Sequence, residues 1–247
     1  MVTPSIFRTG AALLALHLGS LLQAQSNEPF TQSTPPPGKM YLTSGSEWIF
    51  TAPILDVNGS DQGAIIRFAP VLNVQGLANY DFSDHAGVFF GLSMRNLGFI
   101  YQDTANVRYK YRTYNVGLPL GFKLGRMHRT LFFAGYEIEL PFNYKEKRFE
   151  NERKEDKFVV WFSDRTEPFF QSVFFGMQAP GGSTLTIRYY LSNFHNTDYV
   201  ARKDNVDTKP YDGLNSNILS VSLGFGLFNG ETWDFQTPGE RNVDARR

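Results

Sequence analysis

The sequence predicts an all-β fold, an antiparallel up-and-down transmembrane β-barrel of about eight strands, on three observations. The first is strict alternation. In Tyr114-Asn115-Val116-Gly117-Leu118-Pro119-Leu120-Gly121-Phe122, every second residue is large and apolar while its neighbours are small or polar. Ile218-Leu219-Ser220-Val221-Ser222-Leu223-Gly224-Phe225-Gly226-Leu227 follows the same pattern. In a strand this period of two gathers the bulk on one face. A water-soluble barrel needs its bulk inside, and Ser and Gly could not fill that space; a barrel in lipid carries the bulk outside. The second observation is that connections alternate between short turns and longer polar loops. The third is a secretory start to the chain.

The elements follow in order. Arg8 supplies a positive n-region, and Ala11 to Leu22 an apolar h-region, so residues 1–25 read as a signal peptide cleaved near Ala24 or Gln25. As an uncleaved anchor the run would be short for a span of roughly 20 residues. Residues 26–43 carry Pro35-Pro36-Pro37-Gly38 and read as a disordered periplasmic lead-in. The barrel is expected over 44–229, with strands at about 46–55, 64–78, 86–100, 109–124, 130–145, 168–179, 183–195 and 215–228. Phe82–His85, Gly125–Arg129 and Pro180–Gly182 are the short turns, and 56–63, 101–108, 146–167 and 196–214 the longer loops. Pro70 and Pro119 should disturb their strands, because proline cannot donate to a ladder. Lys157-Phe158-Val159-Val160-Trp161-Phe162 is either a further strand or a helix over the mouth, which makes ten strands the alternative count. Residues 230–247 form a polar periplasmic tail, and an even strand number puts both termini in the periplasm.

Composition excludes several classes. Lys+Arg and Asp+Glu both number 24, so net charge is zero and there is no electrostatic footprint for nucleic acid. Cysteine is absent, which rules out disulfides, thiolate metal sites, Cys nucleophiles and a lipidated Cys. The few histidines form no cluster, so no metal and no cofactor is expected. A mean hydropathy of −0.30 suits a barrel whose lumen residues dilute the apolar face.

Alternation assigns Trp48, Phe50, Phe90, Leu92, Leu118, Leu120, Phe175, Ile187, Val221 and their like, through Leu227, to the outer face. The opposite face collects Glu47, Arg67, Arg95, Lys123, Glu137, Glu139 and Arg188. A narrow barrel has room only for side chains inside, and unpaired buried charges cost several kcal/mol each. These seven residues are therefore expected to form a lumen network in place of an open pore. Glycines 91, 117, 121, 176, 224 and 226 are expected to relieve crowding.

Three segments could carry chemistry. Lys145 to Lys157 is dense in both charges; it reads as a solvated loop, with binding of lipopolysaccharide phosphates or a protein partner as the functional alternative. Trp161, Phe162 and Arg165 place aromatics and a cation inside an expected loop, as an interface anchor or a plug of the mouth. His195 lies near a rim with Ser192 and Thr197, and a His–hydroxyl pair with a carboxylate performs acyl transfer in rim-active lipid hydrolases. Here His195-Asn196-Thr197-Asp198 departs from the His-x-Ser-Asn order of lipid A deacylases. If His195 shares the parity of Tyr189 and Leu191, it points outward to headgroups.

Asn143-Tyr144-Lys145-Glu146-Lys147, Trp161-Phe162-Ser163-Asp164-Arg165 and Arg188-Tyr189-Tyr190-Leu191-Ser192-Asn193-Phe194, with the meander from Ser46 to Phe228, resemble the small outer-membrane β-barrels of Bacteroidota, the PorT-like group. The resemblance implies a Gram-negative cell-envelope protein, structural or accessory to secretion or surface assembly, and not an enzyme. Its partners would be outer-membrane lipid and lipopolysaccharide, with envelope proteins as a further class. The polar tail ending Asp244-Ala245-Arg246-Arg247 departs from barrels that end on an aromatic strand residue. A rim-active hydrolase using His195 and a secreted, soluble ligand-binding barrel are the competing readings.

Overall fold

The computed structural model describes residues 37–38, 40–57, 60–61, 64–104, 107–127, 129–151, 153–203 and 206–228. The expected signal peptide, most of the expected lead-in and the expected tail lie outside these residues. Nine long strands are described: β1 Met40–Val57, β2 Val74–Ser83, β3 Ala86–Thr104, β4 Val107–Arg126, β5 Thr130–Glu150, β6 Arg153–Trp161, β7 Phe170–Gln178, β8 Ser183–Tyr190 and β9 Leu214–Phe225. Eight of them close a ring in the order β1-β2-β3-β4-β5-β7-β8-β9, all antiparallel, sealed where Ser46 to Val57 of β1 pair with Phe225 to Leu214 of β9. The ninth, β6, pairs only with the far end of β5 and stays outside the ring. The ten-strand alternative is therefore not realised. The lower part of β5 pairs with β7 directly, so β6 extends the wall instead of widening it.

Period-two burial runs through the wall. In β7 and β8, buried and exposed residues alternate without a break. Leu92, Leu118 and Leu120 are each 61% exposed, while Glu137, Glu139 and Lys123 on the opposite face are fully buried. Apolar outside and polar inside reverses the order of a water-soluble barrel and is that of a transmembrane one.

Three differences from the expected strands have local causes. β1 starts at Met40, inside the expected lead-in, because Tyr41 and Thr43 already alternate inward and pair with the end of β2. The second stave is broken at Pro70: Arg67–Ala69 pairs with β1, residues 70–73 leave the ladder with Leu72 at φ 63°, and β2 begins at Val74. Asn73 repairs the gap by donating to the Ala69 carbonyl at 2.7 Å and accepting from the Asn96 amide at 2.8 Å. The loop expected at 101–108 is almost entirely strand, since β3 runs to Thr104 and β4 restarts at Val107. Pro119 stays within β4. Lacking an amide hydrogen, it interrupts pairing with β3 between Phe90↔Leu120 and Ser93↔Gly117, and the register is the same on both sides.

Strands β3, β4 and β5 have 19, 20 and 21 residues. A membrane crossing takes about 9–11 residues, so this side of the wall stands well clear of the bilayer. β7 and β8, with 9 and 8 residues, do not. The tall side rises at the end opposite the short turns that follow β2, β4 and β7.

Leu227 was expected outside and lies inside. Gly226, at φ 77°, turns the chain as β9 ends, and Leu227 and Phe228 fold into the lumen. Only glycine adopts this left-handed backbone without steric cost.

Candidate functional site

The lumen is layered. At the short-turn end, Leu77, Phe89, Leu131, Phe133, Phe174, Leu227 and Phe228 form an apolar floor. Phe228 supplies its centre, with ring centroids 5.2 Å from Phe89 and 5.0 Å from Phe133. At the other end Leu97, Phe99, Tyr111, Tyr144, Phe170, Tyr190 and Phe194 form an apolar ceiling.

Between them sits a buried polar layer. Arg95 is its hub: Nη1 lies 3.0 Å from Glu47, Nη2 3.1 Å from Glu137, and Nε 3.6 Å from Glu139. Arg188 Nη1 lies 2.6 Å from Glu137 and donates to Ser172 Oγ at 2.8 Å. Neutral donors complete the carboxylates. Ser93 donates to Glu137, Gln75 to Glu47, Asn115 to Glu139 at 2.7 Å and the Tyr190 hydroxyl to Glu139 at 2.8 Å. Charges so deeply desolvated persist only with partners of this kind. Room for them comes from Gly117, where a Cβ would lie 2.4 Å from Glu137 Oε1 and 2.5 Å from Ser93 Oγ.

Of the seven residues expected in one network, the structure brings together Glu47, Arg95, Glu137, Glu139 and Arg188. Lys123 lies lower, in a separate cluster: Nζ is 2.8 Å from Asp81 and donates to the Tyr41 hydroxyl at 2.7 Å and to Asn79 Oδ1 at 3.0 Å. Its ammonium also faces the Phe228 ring at 5.3 Å. Arg67 donates to the Asn96 carbonyl at 3.1 Å and to the Asn96 side chain, away from the central carboxylates. Tyr41, Asn79 and Asp81 lie beyond the expected strands, because the first was begun too late, at 46, and the second ended too early, at 78. The alternation of Asn79-Tyr80-Asp81-Phe82, polar inward and aromatic outward, was the available signal.

The mouth is covered by Thr166, Phe194, His195 and Tyr211, all buried, from the segments that follow β6 and β8. Ser216 Oγ accepts from the amides of Phe194 and His195 at 3.1 Å each, and Asn217 Nδ2 donates to the Tyr190 carbonyl at 3.0 Å. Arg165 pairs with Glu146 at 2.9 Å, and its guanidinium lies 4.3 Å from the Phe158 ring centroid. Trp161 and Phe162 do not enter the mouth: they are 64% and 67% exposed, and Trp161 stacks on Phe142 at 5.8 Å.

His195 points inward, so the condition for an outward ring, shared parity with Tyr189 and Leu191, does not hold. The strand parity of β8 ends at Tyr190, and the bridge between Thr166 and His195 reorients the chain. The ring is fully buried, stacked on Tyr211 at 4.3 Å and edge-on to Tyr111 at 4.6 Å. Neither ring nitrogen has a hydrogen-bond partner among the described residues. Burial, and then the nearby charge of Arg165, hold its pKa down to about 3. Ser192 Oγ is engaged by the Gln171 amide at 2.6 Å. No His–hydroxyl–carboxylate arrangement exists at His195 among the described residues.

No protein-family model and no curated protein matches the chain. Among solved structures, it is similar to Ail, the attachment invasion locus protein of Yersinia pestis, at 10% identity over 77% of this chain and 97% of that one, TM-score 0.34. Neisserial surface protein A matches at 10% identity over 75% and 96%, TM-score 0.32. OprG of Pseudomonas aeruginosa matches at 10% identity over 77% and 95%, TM-score 0.30. Likenesses this remote carry no weight here, and the barrel rests on its own pairing and exposure.

Proposed function

We propose that the chain is an integral outer-membrane barrel, sealed and non-enzymatic, serving as a structural or accessory subunit of an envelope complex. One observation carries this reading: the lumen is filled from floor to ceiling by side chains, with a paired charge layer between two aromatic layers. In this reading the interior conducts nothing and seats no substrate beside a candidate catalytic group. The apolar belt disfavours the soluble ligand-binding barrel, which would expose these leucines and phenylalanines to water. The tall wall formed by β3 to β6 offers a partner a rigid surface clear of the bilayer. The short turns and both termini face the periplasm in this reading.

The test combines heat-modifiability of detergent-extracted outer membranes with conductance of the purified barrel in planar bilayers. The expected result is a band that migrates faster unheated than boiled, together with no steady conductance. Recovery in a soluble fraction would overturn the membrane reading, and well-defined conductance steps would overturn the sealed lumen.

A further inference from the structure

The charge-dense run from Lys145 to Lys157 is strand in the structure, and strand geometry sorts its charges. On the tall wall, Arg108, Lys110 and Arg112 of β4, Lys145 and Lys147 of β5, and Lys157 of β6 share the outer face. Register sets Lys110 opposite Lys147, Arg112 opposite Lys145, and Lys147 opposite Lys157. The inner face of the same strands is fixed by the stack of Tyr101, Tyr109 and Tyr111 and by Tyr144 against Phe158. Glu146, Glu150 and Asp156 fall on that inner parity, Glu146 paired with Arg165 and Glu150 with Arg148 at 3.1 Å, while Glu155 is the residue the ladder skips at the β6 bulge. A segment of mixed sign in sequence thus becomes basic on one side.

None of the six outer cations forms an ion pair among the described residues. Like charges directly opposite in a sheet destabilise it, so this face carries repulsion that an anion would relieve. Its position says which anion. Directly below lies an aromatic band, with Tyr114 stacked on Phe142 and Phe142 on Trp161, of the kind that marks a membrane interface. The Arg112 guanidinium sits 4.8 Å from the Tyr114 ring centroid, bridging the band and the basic face.

We propose that this outer face binds the phosphate groups of phosphorylated lipids in the leaflet around the barrel. The inference rests on the membrane reading above and adds a ligand class and a site to it. The acyl chains would lie on the apolar belt, and the phosphates would be held between the cross-strand cations by charge-assisted hydrogen bonds.

The test is lipid binding to the full-length, detergent-solubilised barrel by native mass spectrometry, with bis-phosphorylated lipid A, its dephosphorylated form and inorganic phosphate as probes. The phosphorylated lipid should bind at least tenfold more tightly than the dephosphorylated one, and equimolar inorganic phosphate should not displace it. The triple variant Lys110→Gln/Lys145→Gln/Lys147→Gln should lose that preference tenfold or more, while the corresponding Lys→Arg variant keeps it. Because the variant removes repulsion, its heat-modifiability should be retained, which separates lost binding from lost folding. Equal binding of the two lipids, or a triple variant with the preference intact, would overturn the proposal and leave the membrane reading standing if the protein still fractionates with the membrane. Full displacement by inorganic phosphate would overturn the lipid as its source.

Discussion

Replacing Glu137 with alanine tests the charge layer most sharply, because two ways of reckoning its effect disagree. The central layer holds three carboxylates, from Glu47, Glu137 and Glu139, against two guanidiniums, from Arg95 and Arg188. By net charge alone, losing one carboxylate neutralises the layer and should be harmless. Pairing says otherwise. Arg95 would keep Glu47 at 3.0 Å and Glu139 at 3.6 Å, but Arg188 would keep only neutral contacts, the Ser172 hydroxyl at 2.8 Å and the Phe174 ring centroid at 4.5 Å. An uncompensated buried charge costs about 3–5 kcal/mol, and that is the expected loss for Glu137→Ala. Glu139→Gln should cost less, about 1–2 kcal/mol, because its remaining contacts come from Asn115 and Tyr190 and from Arg95, which has other partners. Adding Arg188→Met to Glu137→Ala should recover most of the loss, since a buried pair replaced by apolar groups is often neutral. Urea unfolding in lipid vesicles, read by loss of the heat-modifiable band, measures all three. A loss below about 1 kcal/mol for Glu137→Ala, or a double variant no better than the single one, would refute the pairing argument.

Two further outcomes are expected. His195 has a folded-state pKa of about 3, below its ordinary value near 6.5, so its contribution is complete above pH 6.5 and is lost as pH falls toward 3. The loss is about 1.4 kcal/mol per pH unit within that window. Amide exchange at Phe194 to Asn196 should accelerate as pH falls through it after correction for intrinsic rates, and His195→Phe should flatten the dependence; a flat wild-type profile refutes the buried neutral ring. Gly117→Ala should lower stability by about 1–3 kcal/mol through overpacking, whereas Gly76→Ala, whose added Cβ meets nothing within 4 Å, should cost much less. Equal urea midpoints for the two would refute the crowding at Glu137.

Much of the wall was legible because a strand's period of two is strict and lipid demands one apolar face. Leu118, Phe175 and Val221 could be placed outside from spacing alone. Closure was not legible. Nothing in Arg153–Trp161 distinguishes a strand that joins the ring from one that only lengthens it, since that depends on whether β7 reaches β5 first. Charge clusters were legible as far as the strands were drawn: Arg95 and Glu137 lie mid-strand, while Tyr41 and Asp81 lie at ends where polar residues look like loop. Leu227 was misassigned, and the outward option for His195 fails, for one shared reason. Alternation holds only while the strand continues, and a bridge at Thr166 or a left-handed glycine at 226 resets it.

The surplus carboxylate of the central layer bears on permeation. With all five groups ionised, the axis carries one fixed negative charge, set in a narrow tube whose walls have low polarisability. Such a charge lowers the energy of a small cation on the axis and raises that of chloride. A layer in that charge state would favour cations over anions. Were its packing loosened, by loss of Phe228 from the floor or of the mouth segment above, the first traffic through it would be cationic.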